Sequence, residues 1–155
     1  MAETTKGVYP CYKNQFSVDI KGGDGTTESD LKTIADMESF SVSIDGNVEE
    51  WSPYDMAGWT RRMVTGKSLT ISVSGKRNVG DSGNDYIESI AVKVGRECDS
   101  TFVWNFPSGA KLVIPCVINV TEWSAGDSKA VAPLAFDVMS NGKPTFTPAT
   151  TTGDN

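Results

Sequence analysis

The chain has 155 residues, 38% hydrophobic and 22% charged, a composition that excludes disordered and fibrous classes and fits one domain. A chain of this length buries roughly 70% of its unfolded surface, enough to fold without disulfides or metals. Net charge is −6 but unevenly spread: residues 1–60 carry eleven acids and four bases, and residues 61–111 five acids and eight bases. That balance excludes a sustained basic surface for holding DNA by counterion release, while permitting copies of opposite local charge to attach to one another.

The N-terminus, MAETTKGVYPCYK, has neither the basic start nor the apolar run of a secretory leader, and no stretch approaches the length of a membrane span. The expectation is synthesis in a cytoplasm, with no membrane partner. Cys11, Cys98 and Cys116 are odd in number and widely spaced, the pattern of reduced, partly buried thiols.

Along the chain, apolar and polar residues alternate, the mark of half-buried strands. Phe16-Val18-Ile20 is the first such run; KGGDGTTESD at 21–30 then reads as a long exposed loop, and Phe40-Val42-Ile44 as the second strand. Asp45-Gly46-Asn47 reads as hairpin punctuation, Pro53, Asp55 and Gly58 interrupt any regular element between Trp51 and Trp59, and Thr65-Gly66-Lys67-Ser68 reads as a turn into the strand Leu69-Ile71-Val73. Tyr86, Ile87, Ile90, Ala91 and Val94 then recur at helical spacing over residues 83–95. Ser82 or Asn84 is expected as the cap, Asp85 and Glu88 fall in the first turns, and Gly95 closes the segment.

Strands resume with Phe102-Trp104-Phe106, a longer run from Leu112 to Val120, and Ala132 to Val138, separated by turns at Pro107-Ser108-Gly109 and Ala125-Gly126-Asp127 and followed by one at Asn141-Gly142. Pro115 and Pro133 cannot donate to a ladder, so their strands are expected to be edges or to carry bulges. Residues 143–155 have too little apolar content to pack alone.

The chain contains no histidine, which removes the commonest general base and the triads built on it. TGKS lacks the glycine that a Walker A loop needs five positions earlier, where Arg61 stands. Asp85 and Glu88 are expected from the helix macrodipole without any catalytic role. No enzyme and no cofactor are expected.

Trp51, Tyr54, Trp59, Arg61 and Arg62 are residue types that concentrate at protein interfaces. The bland alternative folds both tryptophans over the end of a sandwich with the arginines reaching to solvent. A monomeric carbohydrate- or protein-binding module using Trp51, Trp59 and Trp123 is a second reading, and a carboxylate-dependent hydrolase a distant third.

The ordered string GNVEEWSPYDMAGWTRRMVTGKSLTISVSGKRNVGDSGNDYIESIAVKVGRE, followed by TFVWNFPSGAKLVIPCVINVTEWSAGD and PLAFDVMSNGKPTF, resembles the tail tube proteins of long-tailed bacteriophages and prophages over about residues 36–147. The resemblance implies a mainly β, sandwich or barrel-like domain spanning residues 1–155, with one flanking helix, an N-terminal arm at about 1–12 and a C-terminal tail at about 143–155. It implies hexameric rings stacking into a tube in the virion tail, assembled in the host cytoplasm. Tape-measure and terminator proteins are its implied partners, with a sheath protein where the tail is contractile, and double-stranded DNA passes through without specific binding.

Under this resemblance Trp51, Tyr54, Trp59, Arg61, Arg62, Lys76 and Arg77 are subunit-interface candidates. Glu38, Asp45, Glu49 and Glu50 are candidates for an acidic lumen that lets phosphates slide. Segments 21–36, 45–60 and 143–155 are candidate arms.

Overall fold

A computed structural model describes residues 6–22 and 30–149. Of the expected arms at about 1–12 and 143–155, residues 1–5 and 150–155 lie outside the described residues, as does most of the loop at 21–30. The described strands are β1 (Gln15–Asp19), β2 (Leu31–Thr33), β3 (Met37–Trp51), β4 (Arg61–Lys76), β5 (Asp99–Asn105), β6 (Lys111–Trp123), β7 (Pro133–Ser140) and β8 (Thr145–Thr147), with one helix, α1 (Ser82–Ser89).

All the strands join one antiparallel sheet in the order β2-β1-β5-β6-β7-β4-β3, with β8 also on β6. The two outer strands, β2 and β3, are consecutive in the chain and only three residues apart, a span the backbone covers in about 15 Å. The sheet must therefore curl until its ends meet. Ring contacts show that it does: Phe16 on β1 lies 4.7 Å, centroid to centroid, from Phe40 on β3, across four intervening strands. The expected sandwich or barrel is realised as a single sheet rolled on itself.

Alternation fills the interior as the sequence predicts. Val18, Leu69, Ile71, Val73, Phe102, Ile114, Cys116, Ile118, Leu134, Phe136 and Val138 form the core, joined by Ile87 from α1, which packs on β1, β2 and β6, and by Ile90 just past its end. Cys98 and Cys116 are buried and Cys11 is exposed; burial pushes the Cys116 thiol up to about 12, well outside the reactive range.

The prolines do not mark edges. β6 and β7 are interior strands, and Pro115 is tolerated because its missing donor falls at a break in the neighbouring ladder. β7 ends at Ser140 and β8 begins at Thr145, and Asn141 N–H donates to the Pro115 carbonyl in between. Pro133 opens its strand, and β6 carries a register shift between Val120 and Glu122. Thr145–Thr147, expected to be loose, pair with β6, and Phe146 sets an edge against the Phe106 ring.

α1 is shorter than its periodicity implies. Asp81, rather than Ser82 or Asn84, caps it by accepting from Asn84 N–H, and the helix stops at Ser89, so Val94 is exposed. The same Asp81 carboxylate accepts from Ala35 N–H, tying the helix start to the β2–β3 connection.

Asn84 is the more consequential residue. Wholly buried, it accepts from Arg77 and from Asn78 N–H and donates to the Ala35 and Lys76 carbonyls. Replacing Asn84 by Ala strands these groups in the interior, and we expect a loss of about 3 kcal/mol of unfolding free energy. A urea titration of the folded chain measures it, with an unchanged midpoint as the contrary result.

Candidate functional site

The hairpin β3–β4 is twice as long as the body can use. β7 covers β4 only from Thr70 to Lys76, and Ser140 Oγ takes the Leu69 N–H; beyond that point β4 pairs with β3 alone. Residues 44–51 and 61–68 thus form a two-stranded ribbon with every residue exposed. Isolated ribbons of this kind are marginal in water unless something packs against them.

Asp45-Gly46-Asn47, expected as a turn, lies inside β3, and Thr65–Ser68, expected as a turn into a strand, lies inside β4 opposite it. Gly46 faces Lys67 and Asn47 faces Gly66; a bulge at Thr65 then restores pairing at Val48 with Val64. The turn-prone residues are absorbed because a paired strand satisfies their backbone groups as fully as a turn would.

The reversal comes instead at Ser52–Thr60. Pro53 starts a single 3-10 turn over Tyr54–Met56, Ala57 and Gly58 adopt positive φ of 50° and 87°, and Trp59 N–H donates to the Met56 carbonyl. Trp59 is 75% exposed, Tyr54 wholly so, and Trp51 and Met56 more than a third. Neither tryptophan plugs the sheet; both ride at the ribbon's end.

Register fixes which side chains share a face. Ile44, Val48 and Glu50 stand with Leu69, Lys67, Val64 and Arg62 on the face continuous with the core. Asp45, Asn47, Glu49 and Trp51 stand with Ser68, Thr65, Met63 and Arg61 on the other. Three hydrogen bonds agree with this assignment: Glu50 accepts from Arg62 Nε at 2.6 Å across the first face, and Asn47 donates to both Thr65 Oγ1 and Glu49 Oε1 on the second.

Sequence reasoning found the aromatic tip and Arg61–Arg62 but missed Ile44, Val48, Met63 and Val64, each exposed by 48% or more. Their signal was present as apolar residues placed symmetrically on either side of the Trp51–Trp59 interruption, the pattern of an extended hairpin. The four acidic candidates do not converge. Glu49 and Glu50 are adjacent on a strand and so point to opposite faces. Glu50 is paired with Arg62, and Glu38 with Lys76 at 3.8 Å.

Arg77 is not at the surface with Lys76. Its side chain is 8% exposed and is held by Asp85, Glu88, the Asn84 amide oxygen and the Asn78 carbonyl. Glu88 in turn accepts from Trp123 Nε1 at 3.1 Å. This guanidinium is engaged within the monomer, fastening α1 to the end of β4. Its pKa is raised, first by the Glu88 hydrogen bond, and Glu88 is lowered to about 2, chiefly by Arg77 and then by Trp123.

No protein-family model matches the sequence, and no curated protein matches it. Solved structures do match its fold. A chain from the tail of an empty gene transfer agent particle with C6 symmetry superposes with a TM-score of 0.69 at 18% identity, covering 90% of this chain and 99% of that one. A chain of the sheath–tube complex of an extracellular contractile injection system in its extended state gives 0.58 at 16% identity, covering 92% and 93%. The anti-feeding prophage cap, a tube-terminating cap, gives 0.58 at 14%, covering 95% of each chain. The mainly β fold that the sequence resemblance implies is the fold observed, and it is shared by chains of tail and injection-system tube structures.

Because Glu88 is held below its ordinary value, it contributes stability that is complete above about pH 4.3 and fades as pH falls toward about 2. Glu88→Gln should therefore lower the unfolding midpoint at neutral pH and flatten the decline on acidification. Thermal melts of both chains across that window check it; parallel pH profiles would show that the carboxylate contributes nothing.

Proposed function

We propose that the chain is a structural subunit that assembles with copies of itself into a tail-type tube, the ribbon of β3 and β4 docking on a neighbouring copy. The observation that carries this is the ribbon itself: a two-stranded arm, apolar in part on both faces, aromatic at its tip, with the outer edge of β3 unpaired among the described residues. A solitary domain would carry such an edge as an aggregation hazard. In a closed assembly the same edge and the face bearing Ile44, Val48 and Val64 are buried.

The particle whose chain superposes at 0.69 has C6 symmetry, and hexameric rings that stack into a conduit for a genome are the arrangement proposed for this chain. Head-to-tail contacts close into rings when the rotation permits, and identical rings stack without limit. The interface residues proposed are Trp51, Tyr54, Trp59, Arg61 and Arg62 at the ribbon end, with Lys76 at its root. Arg77 supports the monomer instead.

Of the four acids, Asp45 and Glu49 are proposed to face the lumen. They share one ribbon face and have no ion-pair partner among the described residues, whereas Glu38 and Glu50 are neutralised by Lys76 and Arg62. Unpaired carboxylates along a bore repel phosphates and let a duplex slide. Replacing both by Lys should leave tubes of normal length but slow the release of DNA from particles, as followed by dye uptake. A tube map with both residues on the outer wall would remove this assignment.

The ribbon is exposed, so Arg61→Glu with Arg62→Glu should change monomer stability by less than about 1 kcal/mol while abolishing polymerisation. Light scattering and negative-stain microscopy of the purified protein over a concentration series read both arms. Normal filaments from the double variant would overturn the interface. A wild-type chain that stays monomeric and binds a glycan saturably would favour the binding-module reading.

A further inference from the structure

The break between β7 and β8 has a chemical consequence separate from assembly. Pro115 offers no N–H at this point of the β6 ladder, so residues 141–144 run past it unpaired except for Asn141 N–H on the Pro115 carbonyl. Asn141 and Gly142 are both exposed, and Gly142 takes φ +128°, a conformation that favours glycine. Among the described residues, the Asn141 side-chain amide has no hydrogen-bond partner and the Gly142 N–H donates to nothing.

We propose that Asn141 is a site of spontaneous covalent modification, converting to aspartate and isoaspartate through a cyclic imide formed with Gly142. The Gly142 backbone nitrogen gives up its proton and attacks Asn141 Cγ; the new C–N bond closes a five-membered ring and ammonia leaves. Water then opens the ring at either carbonyl. The net change consumes one water, releases one ammonia and transfers no electrons.

The other asparagines lack one or both requirements. Asn84 is buried with its amide fully bonded, Asn47 donates to Thr65, Asn14 to the Cys11 carbonyl and Asn78 to Asp36, and none precedes a glycine. Asp45–Gly46 can form the same imide by losing water, but both residues are held in the β3–β4 ladder opposite Ser68 and Lys67. Among the described residues, only at Asn141 are the electrophile and the nucleophile together free.

The isoaspartate product lengthens the main chain by one methylene between β7 and β8 and adds a carboxylate. β8 holds β6 through three residue pairs and the Phe146–Phe106 ring contact, so it is the element that this insertion loosens. The site thus acts as a slow, irreversible release of the C-terminal strand.

Incubating the full-length protein at mildly alkaline pH, followed by peptide mapping and isoaspartyl methyltransferase labelling, tests the chemistry. Asn141 should react roughly tenfold faster than any other asparagine, because glycine gives the attacking nitrogen its widest approach. Asn141→Gln should abolish the signal. Hydrogen exchange on the aged protein should show lost protection at residues 145–147 and unchanged protection in β5. Reaction at Asn47 or Asn78 at a rate equal to Asn141 would overturn the site, and full protection of β8 in the isoaspartate form would overturn the release.

Discussion

The buried amide of Asn84 holds the rolled sheet in one conformation. A sheet whose outer strands are joined by three residues must bring its ends together, but hydrogen bonding between β2 and β3 does not close it. What fixes the closure is a polar knot at that corner. Asn84 joins the carbonyls of Ala35 and Lys76, Asp81 takes Ala35 N–H, Asp36 accepts from Asn78, and Arg77 ties the set to α1. Asn84 is wholly buried and the bonds it makes are part-buried, so losing its amide leaves several partners poorly satisfied, while the Asp36–Asn78 bond lies at the exposed rim. Close packing adds to it. A Cβ on Gly75 would collide with the Asp36 carbonyl and one on Gly83 with the Thr33 carbonyl, so the strand, the connection and the helix approach each other backbone to backbone.

That anchorage determines how far the ribbon can project. β3 starts at the knot, crosses the body beside β4 and continues past the last residue of β7. The first half of the hairpin is held by core contacts of Leu69, Ile71 and Val73, and the second half by its own ladder alone. Cross-strand pairs contribute only a few tenths of a kcal/mol to one kcal/mol each, too little to justify so much exposed apolar surface in a free monomer. The constraint that shapes the sheet therefore also produces an arm whose apolar residues stay exposed among the described residues.

Strand positions were legible because the core face is buried on one side only, which forces period-two alternation on Phe16-Val18, Leu69-Ile71-Val73 and Leu134-Phe136-Val138. Turn chemistry was legible where backbone groups had no better partner, at Pro107–Gly109 and Asn141–Gly142. It misled at Asp45–Asn47 and Thr65–Ser68, because two turn-prone segments lying opposite one another can pair and let a single bulge absorb the mismatch. The knot was not legible at all. Asn84 read as a helix cap, and its partners Ala35 and Lys76 are chosen by tertiary packing that leaves no local pattern. Lys76-Arg77 and Arg61-Arg62 look alike in the sequence, yet one guanidinium is buried against two carboxylates and the other pair is solvated. Only the distance from Arg77 to Asp85 and Glu88, spanning a turn into a helix, hinted at the difference.

The charges on the ribbon separate its two faces in a way that bears on assembly. On the face continuous with the core, Glu50 and Arg62 cancel one another beside Ile44, Val48 and Val64, leaving Lys67, whose stem can lie along apolar surface. As a surface ion pair, Glu50–Arg62 adds little to monomer stability. Its larger effect is to make that face nearly neutral, so that covering it strips water from few uncompensated charges. The opposite face carries Asp45, Glu49 and Arg61, none of them in an ion pair among the described residues, so covering it would desolvate three uncompensated charges instead of one. A neighbouring copy that covers the first face along Ile44, Val48 and Val64, and reaches the second face only at Trp51 and Arg61 by the ribbon's end, gains apolar burial while Asp45 and Glu49 stay solvated.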